Sequence, residues 1–174
     1  MDEYRDACFA FGHKLAAGYK GYLGAVGDTV RVFPPSEEFP EDLEVFLATH
    51  YAPSGAMELQ ADGFFHMNVV VILTPEHQLA PQNIVTCRIL FKKVEDTFIV
   101  KIGQDGKEHR IAANDASAQD KALEALYGEL FEQTKEIIEL SFDNFINQRE
   151  NRNPIGFSIQ SQRGKISPPS SEPS

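Results

Sequence analysis

Apolar residues at the start of the chain recur at helical spacing. Tyr4, Cys8, Phe11 and Leu15 are separated by four, three and four positions, which sets them on one face of a helix over residues 2–17. Asp2, Glu3 and Asp6 fall in its first turn, at the positive end of the helix dipole. Gly18, Gly21, Gly24 and Gly27 follow. Glycine is costly inside a helix, so this run predicts that the helix ends or frays there. Residues 29–33 alternate weakly, as a short strand would, and Pro34, Pro35 and Pro40 stiffen the connection after it. A second helix is expected over 40–51, with Pro40, Glu41 and Asp42 in its first turn and Leu43, Phe46 and Leu47 as its apolar stripe. Pro53 and Gly55 stop it.

The pattern then changes from a period near 3.6 to a period of two. Segments 56–61 and 64–73 flank Asp62-Gly63, a pair suited to a two-residue type I′ hairpin. A proline-containing loop over 74–83 leads to a strand at 84–93. Glu95-Asp96 turns the chain into 97–103, and the run from Gly103 to Gly106 turns it into 107–112. Short connections make neighbouring strands antiparallel, so the middle of the chain reads as a meander of about five strands. Helical spacing returns over 115–147. Leu123, Leu126, Leu130, Ile137 and Phe145 form a stripe, which Phe131, Ile138 and Ile146 widen. Ser117-Ala118-Gln119-Asp120 resembles a capping box, with Asp in place of Glu or Gln.

These elements make an α+β domain over residues 1–147: two N-terminal helices and a curved antiparallel meander of about five strands packed against a long C-terminal helix. From residue 148 Asn, Gln, Ser, Pro and Arg dominate, so 148–174 is expected to be a flexible, disordered tail. The element order resembles helix-grip ligand carriers and also small α+β adaptor or chaperone domains. That likeness concerns element order alone and does not fix function.

Composition narrows the choice of partner. The 174 residues carry 26 Asp+Glu against 16 Lys+Arg, a formal net charge of -10. A surplus of carboxylates argues against nucleic acid and against anionic membranes as partners. No run of about 18 apolar residues suggests a membrane span. The acidic start lacks a secretory pattern, and the cytoplasm is the default expectation. Much of the acid lies on the helix 115–147, at Asp115, Asp120, Glu124, Glu129, Glu132, Glu136, Glu139 and Asp143, against Lys121 and Lys135.

No reaction is written in a motif, so the sequence does not decide between an enzyme and a binding protein. Cys8 and Cys87 are far apart and form no CxxC pair; both read as small buried groups. The histidines His13, His50, His66, His77 and His109 have no zinc spacing, and neither a metal nor a cofactor is expected. Phosphate-loop, dinucleotide and nucleophile-elbow patterns are absent from the sequence. The run Gly18 to Gly27 would suit an anion-binding loop, though such glycines more often serve flexibility or close backbone approach.

Strand alternation singles out one candidate surface. Phe65, Met67, Val69, Val71, Val85, Cys87, Ile89, Phe91, Phe98, Val100 and Ile102 make one face uniformly apolar. The opposite face collects His66, Asn68, Arg88, Lys92, Lys101 and His109 among Val70, Ile72, Leu90 and Ile99. An ordinary half-solvated antiparallel face has the same mixture.

Two functions of different classes follow. The leading expectation is a non-catalytic module that binds another protein, preferably a basic one, as an adaptor, chaperone or inhibitor would. The alternative is a small-molecule binder or enzyme with a pocket between the sheet and a helix. Its ligand-binding groups would be His66, Asn68, Arg88, Lys101 and His109. A helix of residues 115–147 also outreaches a five-strand sheet. Phe142, Phe145 and Ile146 then need cover, from the first helix or from a second copy in a homodimer, and the dimer is the preferred of the two.

Overall fold

A computed structural model describes residues 2–25, 27–40, 43–73, 83–147 and 157–161. In chain order they form α1 (Asp2–Tyr22), β1 (Val30–Phe33), α2 (Leu43–Ala48), a single 3-10 turn (Pro53–Gly55), β2 (Glu58–Leu59), β3 (Phe65–Leu73), β4 (Asn83–Val94), β5 (Thr97–Ile102), β6 (His109–Ala112), α3 (Ala116–Asn147) and β7 (Phe157–Ser161). The expected α+β class and antiparallel meander are present. The spine of the sheet runs β1-β3-β4-β5-β6. Strand β2 shares an edge of β3 with β1, and β7 shares an edge of β4 with β5. The described part of the stretch from 148 thus forms a strand, whose Phe157 and Ile159 alternate with Ser158 and Gln160 as strand residues do. Its neighbours 148–156 and 162–174 lie outside the described residues.

Several local expectations are corrected by hydrogen bonds. Helix α1 continues five residues past position 17 and ends in a Schellman motif. Gly24 takes φ 59°, Gly24 N–H donates to Gly21 O at 3.0 Å, and Ala25 N–H donates to Lys20 O at 3.1 Å. Gly18 lies within the helix because α3 passes so close: a Cβ there would stand 2.1 Å from the Tyr127 hydroxyl. The N-cap of α3 is Asp115, not Ser117. Its Oδ1 accepts from Ala118 N–H at 3.0 Å, and its carbonyl accepts from Gln119 N–H at 2.8 Å. In the β2–β3 hairpin only Gly63 of the pair has positive φ (77°), and Gln60 N–H donates to Phe64 O at 2.9 Å. The loop therefore has three residues ending in a left-handed glycine, rather than two in a type I′ turn. The turn at Glu95-Asp96 forms as expected, with Glu95 at φ 52°.

Helices α1 and α3 cover one face of the sheet. Cys8, Phe11, Leu15 and Tyr19 from α1 meet Leu123, Leu126, Tyr127 and Leu130 from α3 over the apolar row of β3, β4, β5 and β6. Phe11 stacks on Phe98 at 4.0 Å between ring centroids. Burying each such side chain contributes about 1.5–3 kcal/mol. Three polar groups tie the layers together. Thr134 Oγ1 donates to Leu130 O at 2.8 Å, so Tyr19, at 3.3 Å, must donate to Thr134. The Cys87 thiol lies 3.7 Å from the same oxygen, and burial pushes its pKa up to about 12. Both cysteines are free and buried.

The second face has a smaller core of its own. Phe33, Phe46, Val70, Ile72 and Ile84 cluster under α2, with Phe39 and Tyr51 at the margin. Strand β3 is consequently buried from Phe65 to Ile72 on both faces, where alternation suggested a half-solvated side. Arg31 closes α2 at Ala48 by donating from Nη1 to the carbonyls of Phe46, Leu47 and Thr49 at 3.2, 2.7 and 3.3 Å. That cap explains why α2 stops short of residue 51. Residues 41 and 42, expected in its first turn, lie outside the described residues. So do the side chains of 141–147, and with them Phe142, Phe145 and Ile146, on which the dimer expectation rested.

Candidate functional site

The second sheet face brings four of the five expected residues together. Asn68 and Arg88 are directly opposed across β3 and β4, and Arg88 Nε donates to Asn68 Oδ1 at 3.3 Å. His66 stands two positions along β3 and is 7% exposed. Its Nε2 lies 2.9 Å from Asp62 Oδ2 in the β2–β3 loop. Donation from the Phe64 N–H to Asp62, with a further bond from His66, holds the Asp62 carboxyl below the usual carboxylate range. Lys101 reaches Glu108 at 3.3 Å. The Phe64 ring takes Lys92 Nζ at 4.2 Å and Lys101 Nζ at 5.4 Å from its centroid, both within cation–π range.

His109 is not part of that group. Its register partner is Val100, and Ile111 beyond it faces Phe98. All of these point toward the helices, so His109 lies on the opposite side of the sheet from His66. Its Nε2 stands 3.0 Å from Glu129 Oε2 on α3, although the ring N–H is not aligned for a hydrogen bond. A short strand after a turn can start in either phase, and a shift of one residue exchanges the faces. His109 therefore does not join the other four expected residues on one face. The other four make local contacts, His66 with Asp62, Asn68 with Arg88 and Lys101 with Glu108, and the neighbouring Lys92 lies over Phe64. Among the described residues no group of three His, Cys, Asp or Glu side chains is arranged to hold a metal.

The outer face of α3 carries a run of carboxylates. Its inner row, Leu123, Leu126, Leu130, Thr134 and Ile137, is buried. Glu124, Gly128, Phe131, Lys135 and Glu139 follow one another on the outer side at spacings of three and four, with Glu132 and Glu136 beside them. Asp120 is paired to Lys14 at 2.7 Å and Glu132 to Lys135 at 3.6 Å. Among the described residues Glu124, Glu136 and Glu139 have no cationic partner within 4.0 Å.

Apolar groups are exposed among these acids. Phe131 is 40% exposed, Leu140 50% and Tyr22 45%. Phe131 sits at the edge of the stripe it was expected to widen, where the end of α1 reaches it. Tyr22 meets Phe131 at 6.5 Å and Tyr127 at 6.0 Å between centroids. The Tyr22 hydroxyl also passes Gly128, where a Cβ would meet it in ordinary contact at 3.5 Å. Tyr22 is the residue that reading the sequence missed. The glycine run implied a helix end before it, and only the approach of Tyr127 shows why one of those glycines sits inside the helix.

Among the described residues no helix is long and apolar enough to cross a membrane. No family model matches this chain, and neither a curated protein nor a solved structure matches it.

Proposed function

We propose that this protein is a non-catalytic binding module, of the adaptor, chaperone or inhibitor kind, that receives a basic and partly apolar segment of another protein on the outer face of α3. The observation that carries this reading is the run of carboxylates on the outer face of α3 beside exposed aromatic rings. Among the described residues Glu124, Glu136 and Glu139 have no cationic partner, and they share the helix with exposed Phe131, which the exposed Tyr22 meets. Aromatic anchors within a charged rim are what protein interfaces use: the anchor supplies affinity, the rim steers encounter and selects the partner.

The test is a fluorescence anisotropy titration with a labelled peptide of alternating lysine and leucine. One variant carries Glu124→Lys, Glu136→Lys and Glu139→Lys. A control carries the same change of charge at Glu3, Glu38 and Asp105, exposed residues away from α3. The α3 variant should bind at least about tenfold more weakly than the control, equivalent to about 1.4 kcal/mol. Wild-type binding should weaken as salt is raised. Equal losses in the two variants would show attraction to net charge alone and would defeat the reading. Phe131→Ala should weaken binding even in high salt, where screening leaves the apolar contribution.

A further inference from the structure

A recess lies between α1 and the edge strand β1. His13, Ala16, Ala17 and Lys20 recur along one flank of α1, and this flank faces Val30 and Val32 of β1. Tyr51 and Pro53 close the far side. The recess opens to solvent and has a volume of about 250 Å³. That is below the range of about 300–1,000 Å³ for drug-sized ligands.

The polar groups of this recess centre on Asp28. His50 Nε2 lies 3.1 Å from Asp28 Oδ2, and Arg31 Nη2 lies 3.5 Å from it. The His50 hydrogen bond, then the Arg31 charge, holds the Asp28 carboxyl below its ordinary value, and Lys20 adds its field in the same direction. Arg31 is already committed to the α2 carbonyls through its other terminal nitrogen. Lys20 makes no ion pair among the described residues, and neither does His13. Lys20 and Arg31 against Asp28 leave one positive charge in surplus, in a chain whose formal net charge is -10. Ala16, Val30 and Val32 provide an apolar floor beneath it.

We propose that the recess between α1 and β1 binds a small organic monoanion, a carboxylate on a short aliphatic body, with the carboxylate at Lys20 and His13 and the body against Val30, Val32 and Tyr51. One negative charge balances the local surplus, and the volume admits a body of only a few carbons. This site is separate from the α3 surface and does not depend on what that surface binds. Asp28 is the built-in competitor: it holds, as an internal carboxylate, the cations that a ligand would approach.

Hexanoate is the probe, followed by amide chemical shifts of the full chain, with hexan-1-ol as its neutral counterpart and acetate as the headgroup without a body. Titration to about 20 mM covers millimolar dissociation constants. Hexanoate should give saturable shifts confined to residues 13–20, 28–32 and 50–53. Hexanol and acetate should each bind at least about fivefold more weakly, because each lacks one half of the recognised chemistry. Lys20→Gln should weaken hexanoate by about fivefold, and Asp28→Asn should strengthen it by about threefold through removal of the competing charge. Both positions are at least partly exposed, so the fold should tolerate either change. The proposal is overturned if hexanol matches hexanoate, if the shifts scatter over the surface or are absent, or if neither substitution alters binding.

Discussion

At the scale of single residues, much of the local design turns on which donor reaches which carboxylate. Asp62 takes the Phe64 N–H at 3.0 Å and His66 at 2.9 Å, and both bonds favour its charged form. A carboxyl whose folded pKa is depressed stabilises the fold above its unfolded pKa, and that stability is lost as pH falls through the lower, folded value. Asp62→Asn should therefore lower the melting temperature near neutral pH. The gap to wild type should close below about pH 4, where the wild-type carboxyl also protonates. Melting curves from pH 7 down to about pH 3 would test this; a gap that persists unchanged in acid would show that the contribution is steric rather than ionic. The Asp62-Gly63 hairpin was legible in the sequence, but this role of Asp62 was not. It depends on His66 four residues later turning back over a three-residue loop, a geometry that the dipeptide does not specify.

At the scale of elements, α1 and α3 show where periodicity succeeds and where it fails. The long helix at 116–147 and strands β3, β4 and β5 were legible because their apolar residues follow one period over many positions. The end of α1 was not, because a glycine can break a helix or admit a neighbour, and composition does not distinguish the two. Gly18 and Gly21 separate these meanings experimentally. A Cβ at Gly18 collides with the buried Tyr127 ring, whereas one at Gly21 meets nothing within 4 Å. Gly18→Ala should destabilise the protein by about 1–3 kcal/mol, since the two helices must move apart. Gly21→Ala should stabilise it by up to about 1 kcal/mol, through lower backbone entropy in the unfolded chain. Denaturant melts of the two variants would decide the matter, and equal effects would mean that α1 does not pack on α3 at Gly18.

At the scale of the whole molecule, charge is distributed unevenly over the two sides of the sheet. The face bearing Arg88, Lys92 and Lys101 is basic, and the outer side of α3 is acidic, which alternation and the acid count already suggested. What the sequence concealed was the phase of β6 and the cover over β3. His109 changed sides because a turn set its register, and α2 buried a strand face whose own residues look half polar. Unpaired like charges along a helix cost stability, so acids kept for binding should be dispensable for folding. The variant with Glu124→Lys, Glu136→Lys and Glu139→Lys should melt at the same or a higher temperature than wild type in low salt. Its advantage, of about 0.3–1 kcal/mol, should disappear in high salt. A clear loss of stability instead would assign these carboxylates to the fold and remove them from the interface.

The bond from Tyr19 to Thr134 also has a consequence for the order of events during synthesis. It joins residues separated by 115 positions, and the neighbouring bond from Tyr127 to the Lys14 carbonyl spans 113. At about 5–20 residues per second, the ribosome makes α1 on the order of ten seconds before the helix that completes its cover. Throughout that interval Phe11, Leu15 and Tyr19 have no α3 to close over them. The nascent chain must shelter this stripe against the emerging strands or against a folding helper, and a ribosome stalled within the meander would display it.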